Sequence, residues 1–136
     1  MRTKIWISSL AFIFSATSAF ADLALTTVKE IKEEGGDETE HIVQDTFHRT
    51  LYTFDLDQAG QSACKDKCAE VWPPYLLTNA EAAEVQAPYA VIVRASGQKQ
   101  LSFNGKAVYT YFADRASEDF KGDGVGDVWH YIEVDE

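Results

Sequence analysis

The chain has 136 residues, with 12 Lys+Arg against 22 Asp+Glu, and a formal net charge of −10. This charge argues against binding to nucleic acid, whose phosphates require a basic surface. After the first 21 residues there is no apolar run of about 18 residues, so no membrane span is expected there. The length is that of one domain.

Residues 1–21 have the pattern of a secretory signal peptide. Arg2 and Lys4 precede an apolar segment, and a small-x-small cleavage site ends at Ala21. Cleavage before Asp22 would leave 115 of the 136 residues. Because two of the 12 basic residues would leave, the formal charge would change from −10 to −12. The cleavage point carries no Cys, so we expect a periplasmic or secreted protein without a lipid anchor.

The mature chain is predicted to begin with an acidic arm at residues 22–40. Residues 29–40 are mostly charged around Gly35 and Gly36, which is typical of a solvated arm or turn. Residues 41–136 are predicted to form the folded domain, with a first half at about 41–78 and a second at about 89–136.

Within this domain the sequence predicts short strands and one or two short helices. Residues 50–54, 90–94 and 107–111 are rich in β-branched and aromatic residues, as half-buried strands are. Ser62 is a candidate N-cap for a helix over 62–71, which Pro73 and Pro74 would end, and residues 79–85 suggest another helical turn. Asn104-Gly105 predicts a type I′ hairpin after a strand at 100–103.

The mature chain contains one pair of cysteines, Cys64 and Cys68. In an exported chain a local disulfide is the simplest interpretation of this pair. The C-x3-C spacing differs from the C-x-x-C of redox-active pairs and from the C-x-x-C-H of haem attachment. A catalytic redox pair and a metal site remain alternatives.

An internal repeat gives the strongest indication of architecture. Sliding the chain by 57 residues aligns 51–72 with 108–129 without a gap, and seven of the 22 positions are identical. The identical pairs are Tyr52/Tyr109, Thr53/Thr110, Asp57/Asp114, Ala59/Ala116, Asp66/Asp123, Val71/Val128 and Trp72/Trp129. Two copies are too few for a solenoid, so we expect two quasi-equivalent halves that pack around a shared core. The class is mainly β (α+β), in a single compact domain.

These residues resemble a family of bacterial secreted repeats of unknown function, also described as predicted lipoproteins with a Yx(FWY)xxD motif. The motif occurs at 52–57 and again at 109–114. The first copy continues with a G-x-S-x-C-x3-C-A-x2-W-P-P run at 60–74, and the second ends in a G-D-x-x-G-x-W type stretch at 122–129. The resemblance covers about 40–134. It implies an exported two-repeat architecture and no established activity.

The repeated motif has two possible roles. Side chains alternate along a strand, so Tyr52 and Phe54 would share one face, as would Tyr109 and Tyr111. With the two tryptophans these rings would form a dense core, and the aspartates would form turns. Alternatively, the same side chains would line a shallow ligand pocket. The candidate residues are Tyr52, Phe54, Asp57, Trp72, Tyr109, Tyr111, Asp114 and Trp129.

The second half also contains an acidic, glycine-rich loop. Carboxylates and carbonyls in such a loop can wrap a hard cation such as Ca²⁺. The candidate ligands are Asp114, Asp119, Asp123 and Asp127, with Glu118 beside them. Solvated turns are the alternative interpretation in a chain this acidic, and otherwise no cofactor is expected.

Three histidines, His41, His48 and His130, lie far apart in the sequence. The fold would have to bring His48 and His130 together to form a haem or soft-metal site, and the mature chain has no Met to add as a ligand. No catalytic motif is present. We therefore expect an exported, non-enzymatic binding or structural module with an unidentified protein or small-molecule partner. The alternative is a periplasmic metal-, haem- or redox-handling protein.

Overall fold

The structure is a computed structural model that describes residues 25–32 and 34–135. The predicted signal peptide at 1–21 lies outside the described residues. The described part forms eight short strands, two short α-helices and one 3₁₀ turn, with these bounds: β1 Thr26–Lys32, β2 Thr39–Asp45, β3 Tyr52–Phe54, α1 Lys67–Val71, β4 Leu76–Leu77, α2 Asn79–Glu84, β5 Tyr89–Val93, β6 Lys99–Phe103, β7 Lys106–Ala107, the 3₁₀ turn Val125–Asp127 and β8 Trp129–Tyr131. The strands pair antiparallel in small sheets, which confirms the predicted mainly β class. None of the helices described is long and apolar enough to cross a bilayer.

The two halves are built on the same plan. Each starts with an antiparallel hairpin, β1–β2 in the first half and β5–β6 in the second. The second strand of each hairpin, β2 or β6, then forms a backbone hydrogen bond with a segment from the other half. Val43 N–H donates to the Ile132 carbonyl and Leu101 N–H donates to the Tyr75 carbonyl, both at 2.9 Å. The hairpins therefore occupy equivalent places in the two halves.

The halves meet at Tyr52 and Tyr109. Each tyrosine donates its backbone N–H to the carbonyl of the other, and both bonds are 2.9 Å long. The bonds on either side repeat with the 57-residue shift of the sequence. Ile132 N–H donates to the Leu51 carbonyl, and Tyr75 N–H donates to the Val108 carbonyl. This reciprocity places a local pseudo-twofold axis between the two tyrosines.

Two groups of buried side chains form the core. One is aromatic, lies around the pseudo-twofold axis and also contains Cys64, Ile92 and Ala107. The other is largely aliphatic and joins β2 and β6 to neighbouring segments of both halves. Its members are Val43, Leu51, Leu77, Leu101, Val108 and Ile132. Both groups contain residues from each half, so the halves share one core, as the repeat predicts.

Several local predictions are confirmed. Strand β3 lies within the predicted 50–54, and β5 covers most of the predicted 90–94. The turn between β6 and β7 has positive φ at Asn104 (48°) and Gly105 (83°), as a type I′ hairpin requires. Helix α2 lies within the predicted 79–85 and begins with a Thr78–Glu81 capping box.

Other local predictions need correction. Helix α1 begins only at Lys67, its N-cap is Asp66, and Ser62 instead contacts the Tyr109 hydroxyl at 2.6 Å. In the strand predicted at 107–111, regular pairing ends after Ala107, because Tyr109 is shared between the Tyr52 and Pro74 segments. In the segment predicted as an acidic arm, residues 26–32 form β1, which pairs with β2. The boundary at residue 41 stays a prediction.

Candidate functional site

Four aromatic rings from both halves form one continuous stack. Trp72 and Trp129 lie at its centre, with ring centroids 3.8 Å apart and planes 2° from parallel. Phe54 stacks on Trp129 at 4.2 Å, and Tyr111 stacks on Trp72 at 4.3 Å. Each outer ring therefore packs on the tryptophan of the opposite half, as the pseudo-twofold relation requires.

Tyr52 and Tyr109 flank the stack and make reciprocal hydrogen bonds across the axis. The Tyr52 hydroxyl donates to Asp114 Oδ2 at 2.6 Å, and the Tyr109 hydroxyl donates to Asp57 Oδ2 at 2.7 Å. Each aspartate also accepts a backbone N–H, from Ala63 (2.6 Å) to Asp57 and from Lys121 (3.0 Å) to Asp114. The tyrosine of one motif thus holds the aspartate of the other motif.

The burial of these pairs changes their acidity. Burial raises the pKa of Asp57 and Asp114 above the ordinary value of 3.8, although the hydrogen bonds from the tyrosines and the backbone act in the opposite direction. Burial also raises the pKa of Tyr52 and Tyr109, and the neighbouring carboxylates raise it further. Both phenols therefore stay protonated in the native state well above their ordinary pKa.

The aromatic core leaves no room at Gly122. A Cβ at this position would lie 2.7 Å from Trp72 Cη2 and 2.9 Å from Tyr52 Cε1. The backbone N–H of Gly122 also donates to the Tyr52 hydroxyl at 3.2 Å. The close approach of the chain to the two rings thus requires glycine here.

The central motif residues belong to the core. Tyr52 and Tyr109 are fully buried, and Trp72 and Trp129 are 4% and 5% exposed. Phe54 and Tyr111, at the ends of the stack, are partly buried against them. These rings therefore pack on one another in the core, and a ligand-binding role for the motif stays a prediction.

The predicted disulfide is present. Cys64 and Cys68 are bonded, with Cα atoms 5.2 Å apart. Cys64 is fully buried in the aromatic core, and its carbonyl accepts a hydrogen bond from Arg94 Nη2 at 3.0 Å. The disulfide therefore ties the loop to α1, and the hydrogen bond from Arg94 joins the same loop to the second hairpin.

The carboxylates of the acidic loop accept bonds from the loop backbone. Asp119 Oδ2 accepts the N–H groups of Arg115 (2.8 Å) and Ala116 (3.0 Å), which lower its pKa. Asp123 Oδ1 accepts the Tyr131 N–H, and Asp127 has a positive φ of 58° in the 3₁₀ turn. Over the described ranges, no three His, Cys, Asp or Glu side chains are grouped as a metal site would require. The predicted Ca²⁺ ligands therefore receive no geometric support.

The histidines have separate surroundings. His130 Nε2 lies 2.8 Å from Asp55 Oδ2, and His41 Nε2 lies 3.6 Å from Glu30 Oε1. His48 has a positive φ of 62° in the turn after β2. In this arrangement the ring of His130 contacts a carboxylate rather than His48.

A cavity of about 540 Å³ with a mixed polar and apolar lining lies between the disulfide loop and the end of the second hairpin. Its wall includes Ser62 and Lys65 from the loop and Arg94 from the hairpin. Arg94 Nη1 donates to Ser62 Oγ at 3.0 Å and to the buried Gln100 Oε1 at 2.7 Å. Sequence reasoning missed this site, because the turn that positions Arg94 carries no recognisable motif.

A chain of hydrogen bonds joins this cavity to the core. Tyr109 gives its hydroxyl proton to Asp57, and the same hydroxyl lies 2.6 Å from Ser62 Oγ, which also lies 3.3 Å from the Cys64 carbonyl. Ser62 in turn accepts from Arg94. The guanidinium is therefore held by the same network that joins the two halves.

Comparison with known proteins identifies the family. A family model described as "secreted repeat of unknown function" matches residues 41–75 and 90–133, one segment in each half. No curated protein and no solved structure matches the chain significantly. The two matched segments cover more than half of the chain, so this protein belongs to the Lipoprotein_15 family of secreted repeats.

Proposed function

We propose that the chain is an exported binding module that holds a small anionic molecule in the cavity at Arg94. In this proposal the repeated motif builds a rigid scaffold, and recognition takes place where the two halves differ. The predicted signal peptide at 1–21 and the family of secreted repeats both support export, and a periplasmic or secreted location without a lipid anchor is part of the proposal.

The proposal rests on the surroundings of the Arg94 guanidinium. Its three hydrogen bonds go to neutral oxygens, on Ser62, Gln100 and Cys64. A guanidinium has five N–H donors, so donors remain for another acceptor. No carboxylate among the described residues forms an ion pair with Arg94, although the chain has 22 Asp+Glu. Arginine held in this way suits a carboxylate or phosphate, which it binds through two parallel bonds.

The size and lining of the cavity agree with a small ligand. A volume of about 540 Å³ lies in the range of small-molecule sites, which is roughly 300–1,000 Å³. Lys65 adds a second cation to the lining and Asp66 adds one carboxylate, while Ile92 and Val93 supply apolar wall. Two cations against one carboxylate leave this lining positive in an otherwise acidic protein, which favours a small acidic molecule over a large polyanion that the surrounding charge would repel.

Calorimetric titration with citrate and with inorganic phosphate tests the proposal on the chain from residue 22, with its disulfide intact. We expect one of these probes to release heat on binding, and Arg94→Gln to weaken binding by about tenfold or more. Lys106→Gln is the matched control, because it removes the same charge from a lysine that pairs with Asp55 at 3.9 Å and does not line this cavity. Absence of binding by the wild type, or equal binding by Arg94→Gln, would refute the proposal.

A further inference from the structure

The two tryptophans at the centre of the stack are in direct π-contact. Trp72 and Trp129 are parallel within 2°, with ring centroids 3.8 Å apart. At a van der Waals spacing of about 3.5 Å between the planes, this distance allows a lateral offset of about 1.5 Å, as in offset stacking, and much of the two ring faces still overlaps. The two indole π-systems therefore touch each other.

The Tyr–Asp pairs are a second feature of the same core. A carboxylate that loses hydration is costly unless hydrogen bonds compensate it. Asp57 is buried and Asp114 is partly buried beside the stack, and each accepts a phenol proton, at 2.7 and 2.6 Å respectively. The phenol rings touch the stack directly, because Tyr52 packs edge-on against Trp72 at 5.4 Å and Tyr109 against Trp129 at 5.1 Å.

We propose that this cluster is a one-electron relay, in which the indole pair loses an electron and then recovers it from a tyrosine whose proton passes to an aspartate. The inference is independent of anion binding at Arg94. It gives the aromatic stack, the edge-on tyrosines and the two hydrogen-bonded carboxylates one shared function.

The steps balance in charge and in atoms. A one-electron oxidant of the peroxide-derived class, such as a hydroxyl radical or a high-valent metal-oxo species, takes one electron from the indole pair and leaves a radical cation. Tyr52 then returns one electron to the indole pair, while its hydroxyl proton moves along the 2.6 Å bond to Asp114 Oδ2. The products are a neutral tyrosyl radical, a neutral carboxylic acid and the restored indole pair. A small one-electron donor, such as an enediol, reduces the tyrosyl radical, and the proton returns from Asp114.

The pseudo-twofold symmetry supplies the same chemistry twice. Tyr109 and Asp57 repeat the pair of Tyr52 and Asp114 on the other side of the stack. The stack also extends to Tyr111, which is only partly buried and contacts the exposed Phe112 ring at 5.2 Å. An electron can therefore leave the buried indoles through an outer tyrosine at this end.

Flash photolysis with a ruthenium(III) tris-bipyridine oxidant tests the relay on the intact chain from residue 22, where Trp72 and Trp129 are the only tryptophans. We expect the near-infrared charge-resonance band of a shared indole radical cation, followed by the absorption of a tyrosyl radical. The double variant Asp57→Asn/Asp114→Asn keeps the shape of both side chains but cannot accept the proton. It should slow the conversion by about tenfold or more.

Tyr89→Phe is the matched control, because Tyr89 bonds to Thr26 outside the stack and its loss should leave the conversion unchanged. Circular dichroism verifies that each variant is folded. If the double variant fails to fold, the wild type still decides, since proton transfer in the rate-limiting step gives a deuterium solvent isotope effect. A radical confined to one indole, or a conversion that is insensitive both to the aspartate changes and to deuterium, would overturn the relay.

Discussion

A double-mutant cycle can test the exchange of Tyr–Asp pairs between the two halves. The motif places each tyrosine five residues before an aspartate of its own half, but the structure pairs Tyr52 with Asp114 and Tyr109 with Asp57. Tyr52→Phe and Asp114→Ala, made singly and together, measure the coupling across the axis. Tyr52→Phe with Asp57→Ala measures the coupling within one motif.

The structure fixes the expected size of each coupling. Tyr52→Phe removes a 2.6 Å bond to a partly buried carboxylate and leaves the Gly122 N–H without its acceptor at 3.2 Å. Hydrogen bonds to charged groups contribute about 1.5–3 kcal/mol to the free energy of unfolding. We therefore expect a coupling of about 2 kcal/mol between Tyr52 and Asp114. The coupling between Tyr52 and Asp57 should stay below about 0.5 kcal/mol, because no hydrogen bond joins these side chains.

Urea unfolding at pH 7, followed by tryptophan fluorescence, gives the four free energies of each cycle. Equal couplings for the two pairs, or a larger coupling within the motif, would contradict the exchanged arrangement. The pair of Tyr109 and Asp57 supplies an internal replicate, since the pseudo-twofold relation predicts a coupling of similar size there.

The same pairs predict a pH dependence of definite sign. Because burial raises the native pKa of Asp114, the stability linked to its protonation is fully present below the unfolded pKa, near 3.8. It is lost as the pH rises through the raised native value. Asp114→Asn cannot titrate, so the stability advantage of the wild type over this variant should shrink from pH 4 to pH 7. An advantage that grows over this interval would show that the native pKa of Asp114 is lowered instead.

Four further predictions follow from the core and the loops. Gly122→Ala should lower the free energy of unfolding in urea by about 3 kcal/mol, because its Cβ would lie 2.7 Å from Trp72. Gly60→Ala is the control: its Cβ would meet open space, so only the positive φ of 73° opposes it, and it should cost about 1 kcal/mol. Replacing Cys64 and Cys68 together by Ser should lower stability by about 2 kcal/mol, the entropy of a loop this short, and an unchanged free energy would refute that value. Alkaline difference spectra should show Tyr52 and Tyr109 ionising only together with unfolding, because burial raises the pKa of both phenols. The part of the free energy of unfolding linked to these phenols is fully present below about pH 10 and is lost as the pH rises above it. Calcium titration should give no heat and no thermal shift, since backbone N–H groups occupy the loop carboxylates, and a measurable heat would restore the metal hypothesis.

Local chemistry explains which elements the sequence could predict. Asn104-Gly105 determines its turn through backbone preference alone, and the turn is found where it was expected. The 57-residue repeat likewise predicts that Trp72 and Trp129 are equivalent, because identical short-range patterns fold into equivalent local structures. These features depend only on neighbours along the chain.

Features that depend on how the halves pack could not be predicted. The Tyr52–Asp114 pair joins residues 62 positions apart, and only the packing of one half on the other brings them together. Strand β1 could not be predicted from the sequence for a related reason. Its charged sequence suggests a solvated arm, and Val28 is indeed 59% exposed, but seven residues pair with β2 and Ile31 is buried. Backbone pairing rather than side-chain burial stabilises this strand.

Under the proposed function, the differences between the halves separate the scaffold from the binding site. Tyr52, Tyr109 and the two tryptophans, which the halves share, are buried in the common core. The cavity instead lies where the halves diverge. The second hairpin closes early, with Arg94 N–H bonded to the Gln98 carbonyl, while the first continues to the pair of Lys32 and Thr39. Only the first half has the disulfide, and the backbone carbonyl of its Cys64 bonds to Arg94. On the proposed function, a repeat copied for its core gains binding by altering one hairpin end and one loop, without disturbing the shared aromatic stack.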